Sequence, residues 1–495
     1  MEPYWKDLDI LRTAENAVSQ ALVEGGVPLP DGRGCSAVLD SSGAVAITSC
    51  ACASPGQIQL EGWVNLEVLC EGTGDSGDLF TFSSRAAFRH TIESEAAVMG
   101  AQYTPHARLQ TLDLRLQEGA IQLSAIVNLG CHITHTAPLK ALESISGVGD
   151  LQVKEKRVNT CSVSESAEQT LHIREEISAP GIASVISASG AALLKGVQAA
   201  GFDVTAEGLV NVALLCSDGK GALKQINHSL SFTERLDVDI TGASLFGEAE
   251  VMAISARSLG EEFGIVAIEL QLKVKVFGTR TASVILPLDA YSLSMPFECT
   301  YENAAINSFE GQVSEVRAVS ETLAVPDGMP EVGQVVFVSA RPLVTDSVAT
   351  QDMLSVEGIL FTRVLYRSAD SGSIYTFSEE VPFMLSLPAP GATMAEVNLH
   401  VCAAGMSAGA NVGVEYTLMV SAKLSSVLPA DIVSGIAECD EAPARASGLV
   451  VCFAGDGEDI FDIAKRFGVT TEALLKLNPA ATEVLQEGDR LMLLI

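Results

Sequence analysis

The chain has 495 residues, 48% of them apolar, which is material for several packed cores and, at roughly 150 residues each, for three or four domains. Acidic side chains outnumber basic ones 62 to 30, a net charge of -32, which excludes nucleic acid as a partner because that binding rests on neutralising phosphates. Such a balance favours basic or metal-bearing partners, and eleven thinly scattered cysteines, an odd number, do not make a disulfide framework and imply reduced thiols.

The first residues, MEPYWKDLDILR, carry acids where a secretory signal needs a basic start and an apolar core, so a cytoplasmic location without a signal peptide is expected. Asp9–Glu24 is a short piece that fits a helix. The longest uncharged stretches, 119–139 and 177–194, are broken by Pro, Gly, Ser, Asn or His, and read as strands joined by turns rather than membrane spans.

The body of the chain repeats itself. Leu60-Glu61-Gly62-Trp63-Val64-Asn65 recurs as Ala206-Glu207-Gly208-Leu209-Val210-Asn211 and as Val356-Glu357-Gly358-Ile359-Leu360-Phe361, at intervals of 146 and 150 residues. Each copy continues with an alternating strand, a polar turn (72–77, 217–221, 368–373) and a second strand. Phe88, Phe232 and Phe383 follow their Glu by 27, 25 and 26 residues. A Gly-Ala pair comes next (100–101, 242–243, 391–392), then a long strand near 121–133, 264–277 and 412–424. Long β periodicity with Gly-containing hairpins predicts a mainly β chain of three tandem sandwich or barrel-like units, over 1–142, 143–310 and 311–428. The Pro/Ala-rich stretch 429–447 reads as a tether.

Four chemical look-alikes do not survive their context. Residues 72–77 (GTGDSG) match a dinucleotide-binding pattern, yet that pattern must open a helix and here a strand follows. Residues 405–409 (GMSAG) match a nucleophile elbow, but Ser407 is followed by a strand and has no evident histidine partner. On a strand, Cys131 and His135 stand roughly 13 Å apart while His132 faces the other way, so one ion cannot take all three. Cys50 and Cys52 lack the C-x-x-C companion that zinc or redox chemistry requires. Glu61, Glu207 and Glu357, one per copy, read as structural partners. No catalytic, cofactor or metal site is assigned.

The final segment, 448–495, has its own pattern. An apolar strand, Leu449 to Phe453, precedes Ile460, Ile463, Ala464 and Phe467, the stripe of an amphipathic helix with Asp459 as N-cap and Gly468 as its stop. A second helix, Thr471 to Leu477, ends at Asn478-Pro479, and a strand runs from Arg490 to Leu494. This strand–helix–helix–strand order, a small α+β module, resembles the LysM family. The resemblance implies binding of peptidoglycan or other N-acetylglucosamine glycans between two loops, which fall on Gly457, Glu458, Asp459 and Ile460 and on Asn478, Pro479 and Ala480. Where LysM modules usually have Gly-Asp-Thr, this chain has Gly457-Glu458-Asp459. The upstream copies, with their Glu-Gly strand, their Phe strand and Asp289-Ala290-Tyr291-Ser292, resemble the SPOCS domain of spore-coat proteins. Tandem SPOCS copies followed by LysM are the layout of clostridial-type spore coat morphogenetic proteins. That layout implies a non-enzymatic scaffold in the mother-cell cytoplasm, at the forespore surface, tethered to a coat basement-layer protein; the alternative is an envelope protein that binds glycan through the LysM loops.

Overall fold

The computed structural model describes residues 2–494 apart from 74–77, 118, 201–202, 238–239, 241–243, 261, 351, 409, 440–447 and 483–484. The chain is mainly β, with two short helices and no closed barrel among the described residues. Its first eighteen strands fall into three runs of six. The first run is β1 (Glu2–Val27), β2 (Cys35–Ser54), β3 (Gln57–Gly72), β4 (Leu79–Glu93), β5 (Gln102–Gln117) and β6 (Ala120–Ser146). The second is β7 (Leu151–Ser178), β8 (Ser184–Ala200), β9 (Asp203–Ser217), β10 (Leu223–Leu236), β11 (Leu245–Ser258) and β12 (Ile265–Ser292). The third is β13 (Phe297–Ala324), β14 (Val332–Thr350), β15 (Met353–Ser368), β16 (Ile374–Pro388), β17 (Met394–Ala408) and β18 (Asn411–Glu438).

Each run makes the same two antiparallel sheets. The second, third and fourth strands pair in that order, and the sixth lies between the first and the fifth. Alternating apolar residues from both sheets meet in one core per run, for example Leu60, Val64 and Val68 against Val127, Leu129 and Ile133 in the first. The Glu-Gly and Phe signals meet here: Gly62, Gly208 and Gly358 stand directly opposite Phe88, Phe232 and Phe383. A Cβ at any of these glycines would collide with that ring and with the backbone carbonyl of Ala46, Leu193 or Leu343 on the other side. Glycine is required because strand and ring both close over the position. The neighbouring glutamates are solvent-facing; Glu61 accepts from Gln59 at 2.7 Å and pairs with Arg89 at 3.3 Å.

Two sequence expectations are corrected. Residues 9–24 are not helix but part of β1, paired residue by residue with β6. Ala17, Ala21 and Val23 are buried while Val18 and Leu22 are exposed, a period of two that tertiary pairing imposes over the local helical pattern. Residues 429–438 are the end of β18, paired with β13, so the tether read there does not begin at 429; its later part, 440–447, lies outside the described residues. The long strands β6, β13 and β18 likewise run through residues 142, 310 and 428. Their far ends, paired as β1–β6, β7–β12 and β13–β18, converge on a shared apolar hub built from Ala141, Leu286, Ala304, Ile306 and Ile432. Leu142, Ile145, Ala290 and Val433 extend it.

The three runs close on one another around an axis. Each second strand carries a bulge, and Leu39, Ile186 and Val336 are the bulged residues. They join Leu69, Leu215 and Leu365 in a common apolar plug, ringed by Leu79, Leu223 and Ile374. Every member of these trios is contributed once by each run.

Candidate functional site

The terminal segment folds as β19 (Leu449–Phe453), α1 (Ile460–Phe467), α2 (Thr471–Leu477) and β20 (Arg490–Leu494), with β19 and β20 antiparallel. Local chemistry explains each boundary. Asp459 accepts from the Asp462 N–H at 3.0 Å while the Asp462 carboxylate accepts from the Asp459 N–H at 3.1 Å, a reciprocal cap on α1. Gly468 ends the helix in the left-handed region at φ 61°, and Lys465 and Arg466 occupy its last turn, favourable to the dipole. Ile460, Ile463 and Ala464 are buried against Leu474, Leu491 and Leu493.

Every polar side chain among the residues expected to hold glycan is bonded within the chain. Glu458 accepts from the Gly455 N–H at 2.8 Å and pairs with Arg466 at 2.6 Å. Asn478 donates to the Leu474 and Met492 carbonyls and accepts from the Met492 N–H, all at 2.7–2.8 Å, pinning its loop to β20. Ile460 is core. Gly457, Pro479 and Ala480 are exposed.

Asp459 instead faces another part of the chain. Lys154 of β7 sits 2.7 Å from its carboxylate and 3.1 Å from that of Asp462. Lys465 makes the mirror contact, reaching both oxygens of Asp289 in β12 at 2.7 Å. Between these pairs Tyr291 inserts into the module core, its ring edge-on to Phe461 at 5.0 Å and its hydroxyl donating to the Val469 carbonyl at 2.7 Å. Thr471 adds a bond to Gln152. Burial alone would raise the Asp459 carboxyl, but Lys154 and the Asp462 N–H outweigh it and hold the group below the ordinary carboxylate range. Burial would likewise lower Lys154, and its two carboxylates reverse that, leaving the amine raised. The module is therefore docked on the second run through α1.

Nothing within a single run announces this docking. Its signal lies in the copies: Asp289 and Tyr291 follow Pro287 by two and four residues, where the first run has Lys140 and Leu142 after Pro138 and the third has Asp431 and Val433 after Pro429. Only the second run offers both an acid and an aromatic ring at those positions.

A second candidate lies beside the apolar plug, where the three runs line a half-open cavity of about 1170 Å³ bordered among others by Asp40, Glu67, Arg85, Arg341, Arg363 and Glu380. Burial pushes the Asp40 carboxyl up, an effect that Ser339, Arg363 at 3.9 Å and the Ser41 N–H offset only in part. Arg341 is committed: it donates to the Leu109 and Gln110 carbonyls at 2.8 and 3.1 Å and stacks 4.6 Å from the Phe361 ring. These contacts join the third run to the first rather than present free charge.

Among the described residues no group of three or more His, Cys, Asp or Glu side chains could hold a metal ion. Cys131 is buried with its sulfur 3.8 Å from that of Cys50, and burial pushes its thiol up to about 12, far from the thiolate that a metal needs. His132, next in sequence, packs on His106 instead; the His135 side chain lies outside the described residues. Ser407 lies in β17, which turns into strand β18 and not into a helix. The 72–77 pattern joins β3 to β4, with 74–77 outside the described residues. No helix among the described residues is long and apolar enough to cross a membrane.

Residues 331–411 match the family model described as SipL, SPOCS domain. The matched stretch covers β14 to β17 of the third run. No curated protein and no solved structure matches the chain.

Proposed function

We propose that this chain is a non-enzymatic scaffold of the spore envelope, built from three SPOCS-type sandwich copies and a terminal LysM module, which tethers a coat basement-layer protein at the forespore surface in the mother-cell cytoplasm. The match of residues 331–411 to the SPOCS domain of SipL carries this reading. The recurrence of the same strand order in the first two runs extends it beyond the matched stretch. Absorption of the polar module residues into capping, loop-pinning and docking favours protein tethering over sugar capture. Several weak modules on one chain gain avidity on an ordered layer.

The test is binding of the purified full chain to an immobilised basement-layer protein and, in parallel, to purified peptidoglycan, together with the timing of its expression relative to sporulation. Retention on the protein and not on the wall polymer, with expression confined to sporulating cells, is the expected outcome. Retention on peptidoglycan that survives high salt would replace the proposal with the second reading, an N-acetylglucosamine-glycan binder. The exposed Gly457, Pro479 and Ala480 favour that second reading.

A further inference from the structure

We infer that the outer face of the β19–β20 ribbon is a self-association surface on which a second copy of this chain docks. The ribbon has two faces with opposite fates. Cys452, Leu491 and Leu493 point inward and are buried beneath α1 and α2. On the other face, Leu449 stands opposite Leu494 and Val451 opposite Met492, with Phe453 beside Arg490. These five apolar side chains are 68%, 65%, 42%, 41% and 62% exposed in that order. A continuous apolar stripe at the surface of so acidic a chain is an unmet hydrophobic cost.

The occupant follows from what the rest of the chain can offer. The helical side of the module is already engaged with β7 and β12, so the body of the same chain does not cover the ribbon. Residues 440–447, DEAPARAS, contain no large apolar side chain and cannot fill the stripe. A second copy can. The five side chains expose on the order of 500 Å² per copy, about 1000 Å² for a pair, which reaches the lower end of specific interfaces. Among the described residues of this face there is no acid, and Arg490 is the one charge, so two copies can meet there in a twofold, self-complementary contact. The opposing force is repulsion between two chains of charge -32. That repulsion gives the contact a signature: salt screens it and strengthens pairing, the reverse of an interface held by ion pairs.

The experiment is sedimentation equilibrium of the full chain over a wide concentration range, at low and at high salt. Mass rises from 51.8 kDa toward twice that value, and the dimer tightens as salt is added. Phe453→Glu and Leu494→Glu each weaken the dimer at least tenfold while the melting curve stays that of the parent, because both side chains already face solvent. A chain that stays monomeric at every concentration in high salt overturns the inference. So does a dimer that both variants leave unchanged, or one that salt dissociates.

Discussion

The Thr376 hydroxyl donates to the Leu39 carbonyl at 3.4 Å, across 337 residues of sequence, and by doing so joins the third run to the first. Thr81 makes the equivalent bond to the Ile186 carbonyl at 2.6 Å, joining the first run to the second. Gln225, in the same place before its own Phe, spans to Val338, accepting from its N–H at 2.9 Å and donating to its carbonyl at 3.4 Å. Three head-to-tail contacts close a ring within one chain, as a cyclic trimer would between chains. Thr376→Val, which removes the donor and keeps the shape, costs about 1 kcal/mol. Hydrogen exchange should show the loss at the β16–β2 joint, with the Thr81 joint unaffected.

Gly208→Ala tests the glycine–phenylalanine pair. The added methyl meets the Phe232 ring and the Leu193 carbonyl together, and overpacking of this kind costs about 1–3 kcal/mol. Denaturant unfolding measures it. Ala at Gly196, where nothing lies within 4 Å, is the control and leaves stability nearly unchanged.

Docking and folding of the terminal module separate by mutation. Tyr291→Ala removes a nearly buried ring from the module core and costs about 3 kcal/mol of docking. Ile460→Asp places a charge among Ile463, Leu474 and Leu491 and unfolds the module while the β runs stay folded. Calorimetry is expected to resolve two transitions for Tyr291→Ala and to keep the β-run transition alone for Ile460→Asp; collapse of the β runs together with the module in either variant would contradict a separable module.

The docking ion pairs also set a pH window. Asp459 has its folded pKa depressed, so its contribution is present above the unfolded carboxylate value, near ~3.9, and is lost as pH falls through the lower folded value. Lys154 has its folded pKa raised, so its contribution is full below ~10.4 and is lost as pH rises through the higher folded value. Docking is therefore strongest between those limits. Lys154→Met removes both arms, which a pH series of module amide protection would register.

Asp40 behaves in the opposite sense. Burial raises its folded pKa, so ionisation near neutral pH opposes folding, and stability from this site increases as pH falls through the folded value toward ~3.9. Asp40→Asn keeps an acceptor for the Ser41 N–H and removes the buried charge. The variant is expected to be at least as stable as the parent at pH 7, and its advantage shrinks in acid.

Local chemistry makes the terminal module legible from residue order alone: Asp459, Gly468 and Asn478-Pro479 act within a few residues of themselves, and both helices and both strands fall where those signals place them. The recurring strand pattern is equally legible, because the same Gly–Phe constraint stands in the chain three times. Residues 9–24 and 429–438 mislead because a strand's partner lies far away. Only pairing with β6 and β13 turns an amphipathic piece and a small-residue stretch into strands.

The sequence by itself determined a mainly β chain with a recurring strand pattern and a terminal module of strand, two helices and strand, since those follow from side-chain period, caps and turns. Tertiary structure alone decided that the three runs close into a ring and that the module's helix is held by Lys154, Asp289 and Tyr291. Contacts of that kind join residues hundreds apart and leave no local period to read.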